Sequence, residues 1–235
     1  MFRLVARLDI KGQNLIKGIH LEGLRVLGDP KEYAVKYASE GAEELLFMDV
    51  VATLYGRNQL AELLEKTTDG VFIPVTVGGG IHSVEEAQRL FNAGADKVAI
   101  NTAAIKNPKL ITEIANRYGS QAIVVSIEAK RMNGGWEAYT DNGREKTGKD
   151  AIQWAFEAQS LGAGEILMTS IDREGTGKGM DLELLRIGPK LDIPLMASGG
   201  VGNPEHVTEA RRYADAVAVA GAIHYKRFSI EQLRG

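Results

Sequence analysis

The sequence predicts an α/β protein folded as a closed (β/α)8 barrel made of two half-barrel repeats. Eight short apolar, β-branched runs alternate with segments of helical period along all 235 residues. Motifs recur at about half the chain length, and no low-complexity or proline-rich linker divides the two halves. Such alternation implies parallel strands joined by right-handed crossovers, and eight units close most economically into a TIM barrel. An open doubly wound sheet is the alternative.

The eight runs are Leu4 to Leu8, Glu44 to Val50, Val71 to Val77, Lys97 to Ile100, Ala122 to Ile127, Glu165 to Thr169, Ile193 to Ala197 and Ala216 to Ala220. Each reads as a buried strand. Helix starts are marked between them. Asp29-Pro30, Asn107-Pro108 and Asn203-Pro204 each pair an N-cap residue with proline at the first helical position. Ser83-Val84-Glu85-Glu86 has the spacing of a capping box, with Glu86 placed to bond back to the Ser83 amide. Residues 1–235 are expected to form one domain, with half-barrels at about 1–119 and 120–235. A hairpin at about 132–146, turning at Asn133-Gly134-Gly135, interrupts the pattern after the fifth strand and would lie over the barrel mouth. The segment from Gly12 to Asp29 reads as a long loop carrying Lys17, His20 and Arg25.

Composition narrows the function. With 28 basic and 31 acidic residues the formal charge is -3, which supports neither nucleic-acid binding nor attraction to an anionic membrane. Cysteine is absent, so disulfides, thiolate metal sites and a cysteine nucleophile are excluded. His20, His82, His206 and His224 lack a metal-ligand spacing, and neither metal nor cofactor is expected. The N-terminal residues reach charge too soon for a signal peptide or a membrane span, so a cytoplasmic protein is expected. Glycine is frequent, at 27 of 235, and clusters after the strands, where backbone must approach something closely.

The repeat locates the chemistry. Asp9 in Leu8-Asp9-Ile10-Lys11 and Glu128 in Ile127-Glu128-Ala129-Lys130 lie 119 residues apart, each at the C-terminal end of a strand. In such barrels the reacting groups come from strand ends, and two carboxylates can divide general acid from general base. The plainer alternative is that each acid caps a loop or pairs with its lysine. Gly78-Gly79-Gly80 is matched by Ser198-Gly199-Gly200, and either stretch can present amides to an anion. Two such stretches imply a ligand with a phosphate at each end. Lys17, Asn101, Thr102, Thr169, Gly175 and Gly221 complete the candidate binding residues. Arg3, Glu44, Lys97 and Glu165 begin strands and should converge on the opposite face, where a stabilising ring of ion pairs is the plain reading.

These motifs, together with Val75-Thr76-Val77, Ala95-Asp96-Lys97-Val98 and Gly162-Ala163-Gly164-Glu165, resemble the HisF family, the cyclase subunits of imidazole glycerol phosphate synthase, over essentially the full length. The resemblance implies a barrel that takes ammonia from a HisH-like glutaminase. With a bis-phosphorylated ribulosyl aminoimidazole carboxamide it would form imidazole glycerol phosphate and an aminoimidazole carboxamide ribotide. It implies catalytic roles for Asp9 and Glu128, and phosphate sites at Gly80, Asn101 and Thr102 and at Gly175, Ser198 and Gly200. It makes Arg3, Glu44, Lys97 and Glu165 the gate of an ammonia channel and places Asp96 at the glutaminase contact. The chain departs from the family pattern at Glu128 and Glu174, where aspartates are expected, and at Gly12-Gln13-Asn14. Residues 48–58 and Ser126 to Lys130 are similar to the WbuZ-type branch, in which the barrel would instead pass ammonia to a sugar amidotransferase.

Overall fold

The computed structural model describes residues 2–50, 60–67 and 70–235. Among them, eight parallel strands close into a barrel in the order β1 (Arg3–Lys11), β4 (Glu44–Asp49), β5 (Val75–Gly78), β6 (Lys97–Ile100), β7 (Ile123–Met132), β10 (Glu165–Ser170), β11 (Leu195–Ser198) and β12 (Ala216–Val219). The ladder between β12 and β1 and that between β7 and β10 leave no open edge. All eight predicted runs thus overlap a strand of the barrel, though the run from Val71 begins four residues before β5. Most of the WbuZ-like stretch, residues 51–58, lies outside the described residues.

Period-two alternation sorts each strand into an outer and an inner column. On β1, Leu4, Ala6, Leu8 and Ile10 face the surrounding helices, where they share a core with Tyr37, Phe47 and Trp154. The inner residues stack in tiers. Arg3, Glu44, Lys97 and Glu165 form the lowest, joined by ion pairs. Val5, Leu46, Ala99, Val124, Leu167 and Met196 form an apolar middle. Arg7, Asp9, Glu128, Thr169 and Ser198 stand above it, all buried. The interior is therefore filled, as expected of a barrel with eight strands.

Helix starts follow the sequence in part. Asp29 accepts from the Lys31 amide at 2.8 Å, and Asn203 accepts from the His206 amide at 3.1 Å. Ser83 accepts from the Glu86 amide at 3.3 Å, but the Glu86 carboxylate turns to the His82 amide instead of that of Ser83. Asn107 is not an N-cap: it closes the C-terminal end of the short helix Thr102–Lys106, and Pro108 itself precedes Lys109–Tyr118.

The segment read as a loop after β1 is a hairpin, β2 (Asn14–Ile19) and β3 (Glu22–Gly28). Its turn residues His20 and Leu21 have φ of 51° and 64°, the double left-handed pattern whose twist suits a two-residue hairpin. The pattern was hidden because such turns usually carry glycine or asparagine. After β7, β8 (Gly135–Thr140) and β9 (Glu145–Asp150) form the second hairpin, which runs on to Asp150. Each hairpin starts where a strand outlives one of its two barrel partners, β12 beside β1 and β6 beside β7, with Asp9 paired to Ile16 and Glu128 to Tyr139. The repeat thus extends to the insertions.

Candidate active site

The two hairpins meet over the barrel mouth. Asn142 Nδ2 donates to the Leu21 carbonyl at 3.3 Å, and Leu21, Tyr139 and Ile171 share a small buried cluster. Burial of the Leu21 side chain offsets the cost, of order 1 kcal/mol or more, of its left-handed backbone. The His20 amide donates to the Glu174 carbonyl at 2.9 Å, tying the first tip to the loop after β10. This roof divides the mouth into two clefts.

The larger, about 690 Å³, is lined by Lys17, Glu174, Gly175, Ser198, Gly199, Gly200 and Gly221, with Arg25 and Arg227 among its further lining residues. The smaller, about 50 Å³, is lined by Gly79, Gly80, Asn101, Thr102, Glu128 and Asp141. The predicted binding residues thus fall into two groups, Lys17 with Gly175, Ser198, Gly199, Gly200 and Gly221 in the larger cleft and Gly79, Gly80, Asn101 and Thr102 in the smaller. Thr169 belongs to neither. It is 1% exposed and accepts a hydrogen bond from Arg7, so it faces the lumen and not a ligand cleft.

The glycines are required chiefly by neighbouring backbone. A Cβ at Gly79 would stand 2.2 Å from the Asp49 carbonyl oxygen, and one at Gly200 would stand 2.2 Å from that of Gly179. The close approach inferred from glycine clustering is therefore loop against loop.

Asp9 and Glu128 occupy different electrostatic settings. Burial alone would raise Asp9, but the Arg7 guanidinium, whose Nε donates to Oδ1 at 2.8 Å, and the Lys17 ammonium, 3.4 Å from Oδ2, hold it down at about 2. Glu128 is pushed up to about 7, mainly by burial. Its Oε2 accepts from the Gly143 amide at 2.7 Å and from Asn101 Nδ2 at 3.1 Å, and these bonds orient it. One carboxylate is thus held ionised, while the other exchanges its proton near neutrality. Lys17 is raised: burial opposes its charge, but Glu174 and Asp9 outweigh it. Its ammonium is bonded to the Glu174 carboxylate.

Of the other strand-end acids, Asp172 turns away to accept from the Arg131 amide at 2.8 Å. Asp96 accepts from the Val75 amide at 2.8 Å, as its repeat counterpart Asp215 does from Leu195 at 2.9 Å. Asp96 therefore has a structural task of its own on the N-terminal face. In the ring beneath, Glu44 and Glu165 each pair with both Arg3 and Lys97. Among the described residues, no group of three or more histidine and acidic side chains is arranged to hold a metal ion. No helix among them is long and apolar enough to cross a membrane.

Arg7, Asp141 and Gly143 were not singled out from the sequence. Arg7 shares the inner column of Asp9, two residues before it, and that spacing is the signal that could have found it. The tip residues carry no such signal, because their place depends on how far the hairpin folds back.

Residues 3–229 match the family described as histidine biosynthesis protein. The chain belongs to that family. Among curated relatives, the imidazole glycerol phosphate synthase subunit HisF of Legionella pneumophila is 62% identical over 205 residues, covering 86% of this chain and 97% of the relative. The subunit of the same name from Sulfurisphaera tokodaii is 46% identical over 233 residues, covering 99% and 94%.

Proposed function

We propose that this chain is the cyclase subunit of an imidazole glycerol phosphate synthase, with Asp9 and Glu128 as its reacting acids. The observation that carries the assignment of residues is the pair of buried carboxylates at one barrel mouth with proton affinities driven apart. Condensing ammonia with a carbonyl expels water, so a proton must reach the departing oxygen; closing the imidazole ring then breaks a carbon–nitrogen bond, and the aminoimidazole carboxamide leaves as an amine that takes up a proton while the new ring gives one up. Glu128, balanced near neutral pH, suits that exchange, and ionised Asp9 suits stabilisation of cationic nitrogen.

The two clefts support a substrate with phosphate at both ends, one end at Gly80, Asn101 and Thr102 and the other at Gly175, Ser198, Gly199, Gly200 and Gly221. Ammonia would enter from a HisH-like glutaminase on the N-terminal face, past the ring of Arg3, Glu44, Lys97 and Glu165. Asp96 is exposed on that face, and Phe72, 97% exposed before β5, supports an interface there. The names of the relatives favour this reading over delivery of ammonia to a sugar amidotransferase.

The test is turnover of the bis-phosphorylated substrate with ammonium as nitrogen source, for the natural chain and for Asp9→Asn, Glu128→Gln and Glu128→Asp. Turnover by the natural chain, reduced by roughly 10²-fold or more in the first two variants, is expected. An inert natural chain that gains activity in Glu128→Asp would overturn the reading.

A further inference from the structure

Arg7 is the buried charge that the proposed chemistry leaves unused. It is 2% exposed inside the barrel, above the apolar tier of Val5, Leu46, Ala99, Val124 and Leu167. Its Nε donates to Asp9 Oδ1 at 2.8 Å, and one terminal nitrogen donates to Thr169 Oγ1 at 3.2 Å and to Ser198 Oγ at 3.1 Å. These acceptors stand on β10 and β11, so the guanidinium reaches inside the barrel past β12 to the second and third strands round from β1. The backbone is pinned as well. His224 Nε2 lies 3.0 Å from the Arg7 carbonyl, which can only accept, so that nitrogen carries the proton and Nδ1 accepts from the Tyr37 hydroxyl at 2.8 Å.

We infer that Arg7 is a positioning residue: its planar fork, anchored on Thr169 and Ser198, sets the orientation and the charge of the Asp9 carboxylate. A lysine ammonium could supply the charge but not three directed bonds in one plane. Burying an arginine is strongly unfavourable unless it is paired, and a purely structural role would be met at less cost by an apolar side chain. Its other neighbours are accounted for. Lys17 on β2 approaches Asp9 from the far oxygen, Glu174 after β10 neutralises Lys17, and Glu128 on β7 adds negative charge to the same lumen. His224, after β12, is buried and held low, at about 4, by that burial.

The inference rests on Asp9 being a reacting acid, and its test separates the two. The Asp9 carboxyl carbon, followed by NMR in ¹³C-aspartate-labelled full-length protein without ligand, reports its titration whether or not the protein turns over. Arg7→Met fills similar space without charge. It is expected to move the Asp9 midpoint up by about 1 to 3 pH units, the usual effect of removing one adjacent opposite charge. With substrate and ammonium, kcat is expected to fall at least about 10-fold with KM little changed, since the lost interaction orients a reacting group. Arg7→Lys, which keeps the buried charge if the methionine variant does not fold, should hold Asp9 low yet still lose kcat.

An Asp9 midpoint that stays put in folded Arg7→Met overturns the inference, as does wild-type kcat in Arg7→Lys. A natural chain without turnover, but with the Asp9 shift in Arg7→Met, leaves Arg7 as the holder of the Asp9 charge and overturns only the proposed reaction.

Discussion

Glu128 is bonded to the backbone amide of Gly143, 15 residues further along the chain, at 2.7 Å. The bond fastens the β8–β9 tip to the wall of the barrel, so the proposed acid and the roof above it are one mechanical unit. The tip residues Asp141, Asn142 and Gly143 have φ of 51°, 58° and 77°, a left-handed run that needs such an anchor.

Glu128→Asp shortens the side chain by one carbon–carbon bond, about 1.5 Å, and should release the Gly143 amide. A hydrogen bond to a charged group is worth about 1.5 to 3 kcal/mol, so amide exchange at Gly143 should quicken by about tenfold or more. Site-resolved hydrogen exchange checks this. Unchanged protection at Gly143 would show that the hairpin holds its place by other contacts.

Asp141 sits in the smaller cleft as an internal anion. Its Oδ1 lies 3.4 Å from Thr102 Oγ1, and its amide donates to that oxygen at 3.2 Å. Asp141→Ala removes a carboxylate that a bound phosphate would have to face. Affinity for inorganic phosphate at this cleft should rise about tenfold, corresponding to about 1.4 kcal/mol of relieved repulsion. Calorimetric titration of both proteins decides it, and equal affinities would count against an anion site there.

Stability against pH should show two opposing slopes. Glu128 is raised from 4.5 to about 7, so between those values the folded chain keeps a proton that the unfolded chain has released, and stability falls as pH rises. His224 is depressed from 6.5 to about 4 by burial, so the unfolded chain takes up a proton that the folded one refuses, and stability falls as pH drops through that window. The two oppose each other from about pH 4.5 to 6.5. Denaturant unfolding should be nearly independent of pH there, whereas Glu128→Gln should lose stability on acidification by up to about 1.4 kcal/mol per pH unit. A flat profile in that variant would mean that His224 is not held neutral.

The ring at the lower end should behave as a unit. Arg3→Met leaves Glu44 and Glu165 to share Lys97 alone, and both carboxylates are buried. Breaking a fully buried pair costs about 3 to 5 kcal/mol. Because the Arg3 side chain is 23% exposed, roughly 1 to 3 kcal/mol is expected. Adding Lys97→Met to the variant should cost a different amount than Lys97→Met alone, measured as a double-mutant cycle in urea. Strict additivity would dissolve the ring into independent pairs.

Sequence alone determined the barrel, its two-fold construction and the ends of the strands on which the acids stand. Those features are written in the linear order of residues, in a two-residue alternation, in helix caps and in motifs that recur at half the chain length. The tertiary structure decided which charges meet. Arg7 reaches Thr169 and Ser198 across 162 and 191 residues of chain, and no local pattern records such a distance. It also decided that the segment after β1 is a hairpin, because Leu21 is held left-handed by its burial against Tyr139 and Ile171. Proton affinity is set by burial and by the separation of charges. Asp9 and Glu128, alike in sequence position, were therefore distinguished only when the chain closed around them.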